Sequence, residues 1–432
     1  MIQGMGPVRA GSNAIGRRGF LFSAAAVSFK AAFANGPAVP APIAALRNRK
    51  HDAIPIAVTE RESRLERARA LMRAGKLDAI AMAGGTSLDY FTGIRAGNSE
   101  RLFVFVLPQK GKPFYVCPAF EEERMREAMA GAPSGRESKI YTWQENDDPY
   151  GLVAKALRET GVASGRLGVE ERMPFVFADG LRQACRGVEV ANATPVTAGC
   201  RSVKSLTELK LMQLANEITL QVYEAAWRCI RPGMTNRDVT DLISMGYGQA
   251  GFPGEASCQV DKWSALPHGS PQPQPIREGS ILLIDDGCLV EGYQSDISRT
   301  FVIGKASDKM KRVFDVVHRA QAAALRAAKP GSPCEAVDTA ARKVVDDAGF
   351  GPAYTRFTHR VGHGIGMDMH EWPYLVQGNS QRLVANVTTS DEPGIYLPGE
   401  FGVRLEDDMY ITSGGAKWFT PQSNSIEQPF VR

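Results

Sequence analysis

From about Glu60 the chain alternates between two textures. In RESRLERARALMRAG, ending at Gly75, apolar residues recur at helical spacing. LDAIAMAG, RLFVFVLP and PFYVCP are short apolar runs that read as buried strands, and PAFEEERMREAMAG reads as a further helix. Helices alternating with apolar strands predict an α/β domain over residues 59–203. A second domain, 204–432, opens with Ser205-Leu-Thr-Glu208, a capping box that starts a long helix expected over 206–230.

The second domain echoes itself. RPGMTNRDVTDLISMGYGQAGF (231–252) aligns without gaps on KPGSPCEAVDTAARKVVDDAGF (329–350), so that Pro232 meets Pro330, Gly233 meets Gly331 and both copies end in AGF. Each copy follows an Ala-rich helix. This predicts a duplicated, pseudo-twofold domain with its site at the interface of the halves.

Charge changes the picture only at the front. Residues 1–50 hold seven of the chain's 51 basic residues and no acid, which leaves 44 basic against 47 acidic residues in the remainder. The body is therefore slightly acidic, and nothing points to nucleic acid. Arg17 and Arg18 precede an apolar run from Phe20 to Phe33, with Ala32-Phe33-Ala34 as small residues for cleavage. R-R-x-F-L resembles a twin-arginine export signal, so residues 1–34 are expected to direct the folded chain to the periplasm or outside the cell. Residues 35–58, rich in Pro and Ala, are expected to form a linker. The run is too short to span a membrane comfortably, and no other segment reaches eighteen uninterrupted apolar residues. A mature chain without a membrane span is expected. Seven scattered cysteines without C-x-x-C spacing make neither a disulfide framework nor a thiolate zinc site.

The chemistry concentrates late in the chain. In ILLIDDGCLVEGYQSDISRTFVIG (281–304) an apolar strand delivers Asp285 and Asp286. A turn then brings back a second strand carrying Asp296, expected to face Asp285 across a hairpin. HRVGHGIGMDMHE adds His359, His363 and His370, SDEPGIYLPG adds Glu392, and GVRLEDDMYI adds Glu406. An isolated acid at a strand end is ordinarily solvated. Several carboxylates on apolar strands are different, because buried charge needs a counter-ion. Four carboxylates and an imidazole form an oxygen-rich set suited to Mn, Co or Zn in a two-ion arrangement.

These motifs resemble those of the pita-bread metallopeptidases, the family of prolidase, aminopeptidase P, methionine aminopeptidase and the related creatinase. The resemblance runs through D-D-G, GYQSDISRT, GHGIGMDMHE, EPGIY and VRLED in order, over about residues 204–432. It implies a creatinase-like α/β N-terminal domain followed by an α+β pita-bread catalytic domain with internal pseudo-twofold duplication. It implies five metal ligands, Asp285, Asp296, His363, Glu392 and Glu406, with Asp296 and Glu406 bridging two divalent ions, Mn ahead of Co and Zn. It also implies active-site roles for His268, His359, His370 and Arg404, with Glu392 as proton shuttle. The metal set argues against creatinase, and residues 60–200 argue against methionine aminopeptidase. SLDYFTGI and SERL in the first domain look like the prolidase and aminopeptidase P type. The implied activity is hydrolysis of the bond next to the substrate's N-terminal residue, by an Xaa-Pro dipeptidase or aminopeptidase, in a chain expected to be a homodimer. Two alternatives stand beside it, a non-peptidase amide hydrolase acting on a small modified amino acid and a metal-free binding module.

Overall fold

The computed structural model describes residues 39–430 apart from Ser134. The expected export signal lies outside the described residues. From Pro40 on, the segment expected to be a linker is packed. It carries a short helix, α1 (Ala41–Ala44). Ile43 and Ile56 are buried with the core of the second half, and Arg49 donates from its backbone to Ala250 and pairs with Glu217 at 2.9 Å. Two isoleucines thirteen positions apart have no local periodicity, so Pro and Ala content pointed the other way.

The first half is a six-stranded mixed sheet in the order β4-β3-β2-β1-β5-β6. Its strands are β1 (Ala79–Met82), β2 (Val104–Pro108), β3 (Phe114–Pro118), β4 (Lys139–Trp143), β5 (Gly165–Val169) and β6 (Val188–Asn192). Alternation along each central strand divides the apolar residues between two cores. Ile80, Met82, Phe105, Leu107, Tyr115 and Cys117 enter one, and Ala79, Ala81, Val104, Val106, Phe114 and Val116 enter the other. Both faces are therefore covered, by α2 (Val58–Gly75), α3 (Thr86–Thr92), α4 (Glu122–Met129) and α7 (Thr194–Arg201) on the first and by α5 (Pro149–Glu159) and α6 (Phe175–Ala184) on the second.

The second half is built twice. α8 (Leu206–Trp227) and α9 (Asn236–Ala250) lie over one apolar core, α10 (Asp308–Ala327) and α11 (Cys334–Asp347) over another. α9 and α11 begin at the same aligned position of the sequence repeat. The glycines that match across it all have left-handed φ: Gly233 and Gly331 at 98° and 86°, Gly251 and Gly349 at 91° and 86°. Such angles favour glycine, which is why the repeat is legible there. α8 starts at the predicted capping box, with Ser205 and Glu208 each bonding the other's backbone, and ends at Trp227, slightly short of the expected 230.

The strands of this half are β7 (Ser257–Val260), β8 (Ile281–Asp285), β9 (Leu289–Val290), β10 (Tyr293–Gln294), β11 (Arg299–Val302), β12 (Gly362–Gly364), β13 (Glu371–Leu375), β14 (Thr388–Asp391), β15 (Gly394–Leu397), β16 (Phe401–Arg404), β17 (Asp407–Thr412) and β18 (Gly415–Trp418). One sheet runs β11-β8-β7 and a larger one β13-β12-β14-β17-β18, with β15-β16 as a separate hairpin. Among the described residues, no helix is long and apolar enough to cross a membrane. All seven cysteines are unpaired, and six are buried.

Candidate metal centre

Each copy within the second half contributes the ends of its strands to one acidic cleft. Asp285 closes β8, and Asp296 stands in the connection between β10 and β11. The expectation that Asp296 lies on a strand facing Asp285 is therefore corrected, since a small β9-β10 hairpin intervenes. The register of β8 against β11 pairs Ile284 with Arg299, so the neighbour of Asp285 across the ladder is Ser298. The tip is tight. A Cβ on Gly287 would lie 2.0 Å from the Ser295 carbonyl oxygen, and Asp286 is held at φ 90°, fastened by the Ser257 amide and the Tyr223 hydroxyl. A non-glycine residue in that conformation is strained by about 1–3 kcal/mol and persists only because its surroundings impose it.

His363 lies on β12, Glu392 directly follows β14, and Glu406 sits between β16 and β17. His363 Nδ1 is 3.0 Å from the Gly364 carbonyl, which places its proton there. The Nε2 lone pair then faces Glu392 Oε1 at 3.3 Å and Asp296 Oδ2 at 3.7 Å. Burial and the neighbouring His370 push this imidazole down to about 3, so it is neutral and free to ligate. Two donor groups close around the cleft floor, Asp285-Asp296-Glu406 and His363-Glu392-Glu406, with ligand atoms in each within 4.8 Å of one another. Glu406 belongs to both. A third group, Asp296-His363-His370, brings in His370, whose ring centre is 4.0 Å from that of His363.

The charge state says what is missing. Burial and mutual repulsion raise Asp296 and Glu406 well above the carboxylate range, and burial raises Glu392 to about 7. Glu406 Oε1 has no hydrogen-bond partner among the described residues. Asp285 alone is lowered. Burial works against it, but the Arg404 guanidinium holds it ionised. Arg404 in contact and Arg360 on the cleft wall still leave the four carboxylates short of positive charge. A hard, oxygen-rich donor set with one imidazole fits divalent cations.

Several supporting groups were not singled out in the sequence. Ser298 Oγ lies between Asp285 and Glu406, 2.7 Å from Glu406 Oε2, and accepts from Arg404 Nε at 2.8 Å. Arg404 also donates to the Tyr396 hydroxyl at 3.0 Å, which stands 2.7 Å from His359 Nε2. His359 Nδ1 is 2.8 Å from the Arg360 carbonyl. Both nitrogens of His359 are thus engaged, and it orders Tyr396 and Arg404. Asp408 accepts from the Asp296 amide and from Asn216, each at 3.0 Å. Ser298 and Tyr396 lie inside SDISRT and EPGIY, so the motifs contained the signal, but neither hydroxyl looks like a ligand. His268 and His370 are exposed at the mouth of the cleft, which has a volume of about 380 Å³ and is also lined by Asp286, Arg360 and Met369.

Comparison with known proteins accords with this geometry. The family model described as metallopeptidase family M24 matches residues 210–413, and the creatinase/prolidase N-terminal domain matches 64–203. A probable dipeptidase PepE of Mycobacterium bovis is 35% identical over 82% of this chain and 92% of its own length. The chain belongs to the M24 metallopeptidases. An Xaa-Pro dipeptidase of Lactobacillus delbrueckii subsp. lactis is 32% identical over 81% of this chain and 95% of its own. The crystal structure of dipeptidase PepE from Mycobacterium ulcerans superposes with a TM-score of 0.80 at 33% identity, covering 87% of this chain and 99% of that one. A prolidase from Thermococcus sibiricus gives 0.74 at 30% identity, over 83% and 96%. The peptidase is a metal-dependent exopeptidase with a creatinase-type first domain and a pita-bread catalytic domain, as the motifs implied.

Proposed function

We propose that this peptidase hydrolyses Xaa-Pro dipeptides with two divalent cations, Mn ahead of Co and Zn, held by Asp285, Asp296, His363, Glu392 and Glu406. The carrying observation is the pair of donor groups that share Glu406 on the floor of one cleft. The names of the relatives, dipeptidase and Xaa-Pro dipeptidase, support the substrate, and a volume of about 380 Å³ suits a dipeptide. When bound, the cations supply Lewis-acid polarisation of the scissile carbonyl and acidify water. The chain's own groups do the rest. The acidic floor at Asp285 attracts the substrate ammonium. Arg404, held by Ser298 and Tyr396, keeps Asp285 ionised and aimed. Glu392 faces His359 Nδ1 at 3.7 Å through Oε2 and carries the proton towards the leaving nitrogen. His268 and His370, open at the mouth, orient the carbonyl and donate to its oxygen.

Asp296→Ala is expected to remove both bound metal and activity. Metal analysis of freshly purified protein and a panel of Xaa-Pro dipeptides, other dipeptides and tripeptides with added Mn read this out. Full activity in that variant overturns the ligand assignment. Cleavage of small amides without any dipeptide turnover moves the reading to a non-peptidase amide hydrolase. We further propose twin-arginine export to the periplasm or beyond, and a homodimer, for which the exposed Phe120, Phe175 and Val176 of the first domain offer surface. Light scattering at twice the chain mass is the expected reading, and a monomer would exclude the dimer.

A further inference from the structure

Residues 366–371 carry His370; Gln294 of β10 donates to the Gly366 carbonyl at 2.8 Å and Glu371 opens β13, but the side chains of the segment are fastened largely from the first domain. Arg201, at the end of α7, is 4% exposed and reaches both Asp368 and Glu371, the latter at 2.9 Å. Lys204, 1% exposed, stands 3.5 Å from the other oxygen of Glu371. Gly366 makes room for it, since a Cβ there would lie 2.8 Å from the lysine Cε and Nζ. Thr86 donates to Asp368 at 2.6 Å. Arg172 pairs with Asp368 at 3.1 Å and donates to the His370 carbonyl at 3.3 Å. Met367 packs against the core of the first domain and against that of α8 and α9. Thr86, Arg172 and Arg201 all fall within the residues matched by the N-terminal family model.

We propose that this ion cluster is a positioning lock, through which Arg201 and Arg172 of the first domain fix the His370 loop and so set turnover. The inference rests on the reading of His370 given above. The physical case is that three carboxylates, Glu171, Asp368 and Glu371, meet Arg172, Arg201 and Lys204 in a largely buried seam. Buried pairs of this kind fix geometry more reliably than they add stability. The His370 ring is exposed apart from its contact with the His363 ring, so its place is largely inherited from the backbone on either side. A displacement near 1 Å in a group that acts on the reacting carbonyl costs roughly 100-fold in rate.

Two variants test the lock. Arg172 is 53% exposed, so Arg172→Ala should fold. Arg201→Lys keeps the buried charge but cannot reach Asp368 and Glu371 together. Each is expected to lower kcat about 10–100-fold with KM and metal content near those of the parent. Each is also expected to speed amide hydrogen exchange in 366–371 without a change elsewhere in the second domain. In a His370→Ala background neither should lower kcat further, which a merely structural contribution would not reproduce. Parent-like kcat in both variants, or losses that add to that of His370→Ala, overturn the proposal. Unchanged exchange in 366–371 overturns it whether or not dipeptides are the substrate. A parent enzyme inactive on every dipeptide instead counts against the substrate reading, with the exchange measurement still deciding the lock.

Discussion

His363 and His370 stand ring to ring, but their surroundings assign them different work. His363 is buried, with Nδ1 on a carbonyl and Nε2 towards two carboxylates, while His370 is open to solvent. His370→Ala is therefore expected to lower kcat by roughly two to four orders of magnitude with metal content near normal. Equal loss of metal would make it a ligand, as its approach to Asp296 permits. Away from the metal, Glu170 is buried in the first domain, accepts from the Ala83 amide at 2.8 Å, and is raised by burial to about 7. Its raised value means that the folded chain binds a proton that the unfolded chain has released. Below about pH 4.5 both states are protonated and nothing is lost. Stability then falls as pH rises towards 7, and above 7 the full cost of the buried anion is present. Glu170→Gln is expected to stabilise the protein by ~2 kcal/mol at pH 8 and progressively less towards pH 5. Denaturant melts at the two values check this, and an equal gain at both would refute it.

Among the elements, the β8-to-β11 segment is the most constrained. Its turns bring Gly287 against Ser295 so closely that a methyl group has no place, and the two flanking acids, Asp285 and Asp296, take their separation from that contact. Gly287→Ala should leave the helices intact by circular dichroism while weakening metal binding roughly 10–100-fold, the range expected when a support behind a ligand is disturbed. Metal titration showing parent affinity would mean that the hairpin relaxes without moving the acids. The same segment shows what periodicity misses. A continuous apolar run identifies β8, but the short β9-β10 hairpin contains too few residues for a pattern to emerge, so the sequence places Asp296 on a strand it does not occupy.

For the whole molecule, the twin-arginine export we propose would let the chain fold around its metal before it leaves the cytoplasm. Tight-binding Cu and Zn compete for an oxygen-rich site outside the cytoplasm, so loading inside protects the choice of ion. Changing Arg17 and Arg18 together to lysine is expected to trap active, full-length precursor in the cytoplasm. Mature-sized protein outside the inner membrane in that variant would exclude the route. The stretch expected to be a linker does more than tether, because from Pro40 it closes over α8 and α9 through Ile43, Ile56 and Arg49.

Legibility in the sequence followed the range of the interaction. The short apolar strand runs, the Ser205 capping box, the paired glycines of the duplication and the acids at strand ends are local, each set by the chemistry of a few neighbouring residues, and all could be read before any coordinates. Which hydroxyl stands between Asp285 and Glu406, what faces Arg404, and what holds the His370 loop depend on contacts between residues far apart in the chain. Ser298 to Glu406 spans 108 positions and Arg201 to Asp368 spans 167. No period or spacing encodes such pairs. They exist only once the register of the sheets and the docking of the first domain have brought the strand ends together.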